Sequence, residues 1–421
     1  MKVNRVLLAV MAPVLMCALV CANMAAGKDP GRAKVEKAPV GKKAYSSICH
    51  SLQHKDWLLR AFGALEARQY GDAKVLLQLR RHYQEDKDPM VKAFLLDSIA
   101  SWPAEDLQAF FDKDFVEQTV KLFFTAKDEF TGDAAMAFLN SYFKINLEKN
   151  LRKWNGFWKA SRKKVKKIHE KAVKAWEKNN GSITELKVED VVDPKAKPTL
   201  KKRVLDILSD FKANGLEVAL LVDESSNMSN IHSQLKQAGP GIARTWKLLA
   251  PKMRVGILPY SENGPNTVFA PTGDMEKIDM YFSRISSNAG DVPLVPLHRV
   301  LAAATSKMSW EKRPLKHMIV LGGNAAGGYD RPKVSAKIKT VVNQGFVIHF
   351  FGLNHGSLAN PRNVEEFETF AQSGGGADVI LTRDTDVGAK LCSSVFGANN
   401  MDEVMEFCSA MVRYHTPVRK K

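Results

Sequence analysis

The residues best suited to chemistry lie together in the stretch 216–229. An apolar run of Leu216, Val218, Ala219, Leu220, Leu221 and Val222 ends on Asp223 and continues as Glu224, Ser225, Ser226, Asn227, Met228 and Ser229. A buried strand that delivers an acid and several short oxygen-bearing side chains to its carboxyl end is how an open α/β sheet usually builds a ligand site. Other chemistries find less support. The glycines between Gly322 and Gly328 follow a strand, but they lack both the G-x-G-x-x-G spacing and the Lys-Ser/Thr of a phosphate loop. Ser225 and Ser226 lack a G-x-S-x-G elbow, and local sequence places no histidine to activate them. His349 and His355 flank a strand end without a second H-x-x-x-H or C-x-x-C ligand set. The pattern points to a binding protein rather than an enzyme.

The elements that must position Asp223 alternate regularly. A helix over 199–213 leads through Asn214 and Gly215 into the strand at 216–222. Helical periodicity then marks 231–249, 275–285, 296–307, 333–343 and 364–372, and strand patterns mark 253–260, 267–270, 317–321, 346–353 and 377–381, before two terminal helices. Gly374, Gly375 and Gly376 read as a turn before the last strand. Strands separated by such helices require right-handed crossovers and a mainly parallel sheet covered on both faces.

This half of the chain resembles a von Willebrand factor A domain. That family opens with a hydrophobic strand and a D-x-S-x-S-M loop, matched here by Asp223, Ser225, Asn227 and Met228, with Asn227 where the second serine would stand. Arg254, Val255, Gly256 and Ile257 with Tyr260 and Ser261 resemble the family's second strand, and the stretch from Asn288 to Pro293 resembles its G-G-D-x-P loop. Trp310 followed by the run from His317 to Asn324 resembles the strand that normally ends on a third metal-loop aspartate. The resemblance implies a doubly wound, Rossmann-like fold and a metal-ion-dependent adhesion site composed of Asp223, Ser225, Asn227, Asp291 and Asn324. It implies magnesium, with manganese or calcium as substitutes, and a protein ligand whose acidic side chain completes the cation's shell. Asn324 removes a negative charge from that set. Two outcomes stay open: a weak cation site, or a degenerate one whose Asp and Ser side chains cap the following helix and hold the loop. Alternation along the strand turns Glu224 away from the cluster.

The first half reads differently. Lys2 and Arg5, an apolar run over 6–21 and small residues at Ala22, Ala25 and Ala26 have the form of a secretory signal peptide over 1–26. Lysine, proline, glycine and alanine dominate 27–43 without periodicity, as in a disordered leader. Helical spacing fills 44–180. Asp56-Trp57-Leu58-Leu59-Arg60-Ala61-Phe62 recurs as Asp88-Pro89-Met90-Val91-Lys92-Ala93-Phe94, each copy placing an acid where a helix starts. The pattern resembles HEAT-type repeats, which implies an α-solenoid of three to four units offering an extended surface; a plain helical bundle is the alternative. Residues 151–180 read as one amphipathic helix, with Leu151, Trp154, Trp158, Val165, Ile168, Ala172 and Trp176 on its apolar face and a strongly basic outer face. The tryptophans then cap the solenoid. A linker over 181–198 leads to the A-type domain at 199–421.

Composition bounds the setting. The formal net charge is +17, and in an exported protein, periplasmic or extracellular, such an excess points to anionic envelope polymers, lipid head groups or acidic partners before nucleic acid. No segment of the mature chain has the roughly 18 apolar residues of a spanning helix. Cys49, Cys392 and Cys408 follow the leader, and a helical hairpin could bring Cys392 and Cys408 together for a disulfide. The function expected is an adhesion-type grip on a protein ligand. The alternative is an electrostatic envelope-binding scaffold that uses 151–180 beside a metal-free A domain.

Overall fold

The computed structural model describes residues 39–186, 196–287, 295–323, 327–353, 361–382 and 384–416. The signal-like segment 1–26, most of the leader 27–43, the middle of the linker, His355, Asp291 and Asn324 lie outside these.

The helical half is a row of stacked hairpins. Lys42–Leu52 pairs with Trp57–Ala67, Ala73–Glu85 with Pro89–Ala100, and Lys113–Thr125 with Glu129–Phe143. The second helices of the three hairpins stack on one another in order. Aspartate sets the start of five of these helices. Asp56, Asp72, Asp88, Asp112 and Asp128 each accept a hydrogen bond from a free backbone N–H of the first turn. The repeat thus has a structural counterpart, since Asp56 and Asp88 occupy equivalent caps and Pro89 sits at the first helical position, where its missing N–H costs nothing. The first helix begins at Lys42, so the leader's last two residues are helical.

Residues 151–180 do not form one helix. Leu151–Ser161 and Val165–Asn180 meet at a tight 3₁₀ turn, Arg162–Lys164. The turn aims each piece at a different neighbour: Phe157 and Trp158 lie against Phe143, whereas the second piece lies along the short helix Ala104–Phe110. Trp154 is buried against Phe123, and Trp176 packs edge-on to Phe110 and donates to Asp106 at 3.2 Å. Leu151, expected on the apolar face, is 51% exposed at the first position of its helix.

In the second half, the sheet contains β1 (Leu216–Asp223), β2 (Arg254–Ser261), β3 (Gly264–Pro265), β4 (Phe269–Thr272), β5 (Leu315–Gly322), β6 (Phe346–Leu353) and β7 (Gly375–Leu381). Its order is β3-β2-β1-β5-β6-β7, with β4 also paired to β2. All pairings are parallel except those of β3 and β4 with β2. Every residue of β1 is buried, as a central strand covered on both faces requires. Val218, Leu220 and Val222 face one core, Ala219 and Leu221 the other.

The first of these cores runs on without interruption into the helical half. The last helix, Met401–Tyr414, makes the join. Phe407 stacks on Trp57, Phe62 and Phe94, with ring centroids 4.7 Å apart for Phe62 and 5.7 Å for Phe94. Phe62 and Phe94 are the equivalent residues of the two repeat copies, so one phenylalanine reads both. Arg68 bridges Asp97 and Glu406, and Arg413 lies over the Phe130 ring. The surface expected to stay open on the stacked helices is here occupied by the chain's own C-terminal helix. The helical hairpin does bring Cys392 and Cys408 into hydrogen-bonding contact, as two buried thiols rather than a disulfide, and Cys49 is buried apart from them.

Candidate functional site

The strand order fixes where a ligand site belongs. From β1 the chain moves outward through β2 and β3, then returns to the opposite side of β1 as β5, β6 and β7. The carboxyl ends of β1 and β5 therefore diverge at the topological switch point, the crevice in which open α/β sheets bind ligands.

Asp223 ends β1 at that point and is 1% exposed. One carboxylate oxygen accepts the Ser225 N–H at 2.9 Å, and the other accepts the Gly323 N–H, just past the end of β5, at 3.2 Å. The acid thus ties both edges of the crevice. The Ser225 hydroxyl donates to Asn227 Oδ1 at 2.6 Å. A 3₁₀ turn over Ser226–Met228 carries the chain into helix Ser229–Leu249, whose start has no side-chain cap. Asp223 and Ser225 hold the loop but do not cap this helix. Gly323 lets the two edges close up, since a Cβ there would stand 2.6 Å from Asn227 Oδ1.

Of the five residues that the sequence assigns to a metal site, the structure brings Asp223, Ser225 and Asn227 together, and Asp291 and Asn324 lie outside the described residues. Glu224 turns away, as alternation requires. Its N–H continues the ladder to the Tyr260 carbonyl, and its carboxylate accepts from Asn266. Burial holds that carboxyl above the usual range; the Asn266 bond opposes this and the Asp223 charge adds to it.

Two supporting roles escape sequence reasoning, that of His232 and that of Tyr260, which the sequence places on the second strand without a partner. His232 Nε2 donates to the Asp223 carbonyl at 2.7 Å, which leaves Nδ1 to accept from the Ser287 hydroxyl at 2.7 Å. Ser287 is the last described residue before the segment holding Asp291, so His232 links the β1 loop to the root of that segment. Desolvation lowers the His232 pKa against the Asp223 hydrogen bond, which raises it, and so favours the neutral ring of this tautomer. Tyr260, fully buried on β2, donates to the Leu321 carbonyl of β5 at 3.1 Å, crossing behind β1. A polar residue on the inward side of a helix, beside Ile231 and Leu235, was the only sequence trace of His232.

The described donors suit a hard cation in kind, for all are oxygens. A separate cavity of 740 Å³ lies in the helical half, lined by residues that include Trp102, Asp106, Gln108, Lys144 and Trp176, and takes no part in the sheet edge. Among the described residues no helix is long and apolar enough to cross a membrane.

No family model matches the chain, and no curated protein matches it. Similar solved structures include the SpRpn10 VWA domain, at 14% identity over 39% of this chain and 87% of that one, with a TM-score of 0.32. The conserved hypothetical protein BatB from Bacteroides thetaiotaomicron aligns at 15% identity over 47% of this chain and 98% of that one, with a TM-score of 0.33. Proximal thread matrix protein 1 from the mussel byssus aligns at 14% identity over 47% of this chain and 46% of that one, also with a TM-score of 0.33. The fold of this chain stands on its own strand order and register, which are the doubly wound, mainly parallel arrangement that the A-domain resemblance implies.

Proposed function

We propose that the second half is an A-type binding domain that grips a protein partner at the carboxyl-end edge of its sheet. The observation that carries this reading is Asp223, a buried acid at the switch point whose two oxygens hold the ends of β1 and β5. Asp223, Ser225 and Asn227, joined by Asp291 and Asn324, would hold a divalent cation, magnesium or its substitutes manganese and calcium. Such an ion, when bound, supplies a positive charge for a partner's Asp or Glu to complete. The chain's own residues keep the loop closed: Gly323 and Asp223 draw the strand ends together, and His232 steadies the loop from behind. The protein acts outside the cytoplasm, in the periplasm or beyond the cell, in keeping with the signal-like pattern of 1–26.

Titration calorimetry of the full chain with magnesium or manganese tests the cation. Binding heat is expected in the native protein and its loss in Asp223→Asn, which removes the charge yet keeps an acceptor for a loop N–H. Absence of heat with both ions, or equal heat in the variant, would leave a metal-free grip.

A further inference from the structure

Helix Val165–Asn180 presents a row of lysines that the fold does not use. Lys167, Lys171, Lys174 and Lys178 follow one another at four, three and four residues, which sets them on a single face. Val165, Ala172 and Trp176 mark the opposite face, turned onto the helical half. All four lysines are exposed, and among the described residues none of them makes an ion pair. Of the two acids of the helix, Glu170 pairs with Lys166 on the flank and Glu177 accepts the Ile183 N–H, while Lys171 also borders the cavity that Glu105 and Asp106 line. At 1.5 Å per residue the ammonium groups step along the axis by about 4.5–6 Å and span about 16 Å. Arg162, Lys163 and Lys164 continue the charge at the amino-terminal end of the helix, also exposed.

Three features restrict what such a ridge fits. It is narrow and straight, so a chain of charges can follow it where a folded acidic surface would touch it only in part. It consists of lysines, which meet phosphate as point charges without the fixed two-pronged geometry of arginine, so it reads charge density rather than shape. It also lacks an apolar border. Surface-lying helices bury an apolar face among lipid chains, but here that face is consumed by packing, and Leu151, the one large apolar side chain exposed within 151–180, sits at the far end from the ridge.

We propose that this lysine ridge docks a linear phosphate polymer, independently of the sheet edge. Attraction of this kind releases condensed counterions, so affinity falls steeply with salt. Fluorescence anisotropy of end-labelled long-chain inorganic polyphosphate, titrated with the full chain at several salt concentrations, provides the test. The variant carrying Lys167→Gln, Lys171→Gln, Lys174→Gln and Lys178→Gln should bind at least about tenfold more weakly near 0.1 M salt. Its log–log salt slope should shrink by roughly 3, at about 0.7 for each phosphate of a single strand that is no longer neutralised. A charge-matched control, Lys307→Gln, Lys312→Gln, Arg313→Gln and Lys339→Gln, alters exposed cations of the other half and should bind as the native chain does. Because every altered side chain is exposed, circular dichroism should be the same for all three proteins. Equal weakening in both variants, no binding by the native chain, or stronger capture by vesicles containing anionic phospholipid than by polyphosphate would overturn the proposal.

Discussion

Single residues carry more of this molecule than their chemistry alone suggests. Asp223 was legible because an apolar run that stops on an acid can be seen in sequence, and Ser225 and Asn227 followed from their nearness to it. Tyr260 and His232 were not legible, since their partners lie 61 and 9 residues away and depend on which strands become neighbours. The same holds for His317 and His349. They stack across β5 and β6 with Nδ1 of His317 2.9 Å from Nε2 of His349, whose own Nδ1 accepts the Ala377 N–H at 2.9 Å. The Ala377 bond leaves His349 a proton only on Nε2, which it donates to His317. Burial lowers the His317 pKa to about 4 and, with the neighbouring ring, pushes His349 well down. Histidine in the unfolded chain takes its proton near 6.5, so below that pH the unfolded state binds more protons and stability declines. Denaturant midpoints should therefore fall as pH drops from about 6.5 towards 4, the His317 part being spent near 4 and the His349 part continuing to lower pH. The slope should shrink in a His317→Leu/His349→Gln variant, and an unchanged slope would show that other groups govern the acid limb.

At the scale of elements, the aspartate caps explain why the repeat could be read. A cap is a local device: the acid, the free N–H groups and the first apolar residues lie within one turn. Asp88 serves two N–H groups, those of Met90 and Val91, so Asp88→Ala should cost about 1 kcal/mol, measured as a lower midpoint in urea without a change of slope. Local signals likewise located most of the long strands and the helices between them to within a few residues, although the helix read at 333–343 begins at Gly327, and of the glycines read as a turn Gly374 ends a helix while Gly375 and Gly376 open β7. They failed where an element owes its form to a neighbour. Strand β3 has two residues and exists only as a partner of Tyr260 and Ser261, and the break at Arg162–Lys164 reflects what each flanking helix lies on.

The whole molecule departs furthest from the sequence reading. A linker between two independent halves is the natural inference from the composition of 181–198, yet Met401–Tyr414 joins the halves through a shared core. No local pattern marks Phe407 as the residue that would meet Trp57, Phe62 and Phe94. Removing a buried phenylalanine costs about 3–5 kcal/mol, and here the loss falls on the junction. Calorimetry of Phe407→Ala should resolve two unfolding transitions where the native chain gives one, and a single, uniformly lowered transition would mean that the remaining contacts suffice to couple the halves.

That junction also sets an order of events. Arg68 and Glu406, which meet across it, are 338 residues apart, and a contact so distant gives no return until nearly the entire chain has been collected. The hairpins at the start can coil as they are made, but the aromatic face of Trp57, Phe62 and Phe94 stays bare until the last helix arrives. Helix Met401–Tyr414 is thus the closing piece for hairpins made more than 300 residues earlier, and a chain cut short before Phe407 would leave their aromatic face as a hydrophobic wound.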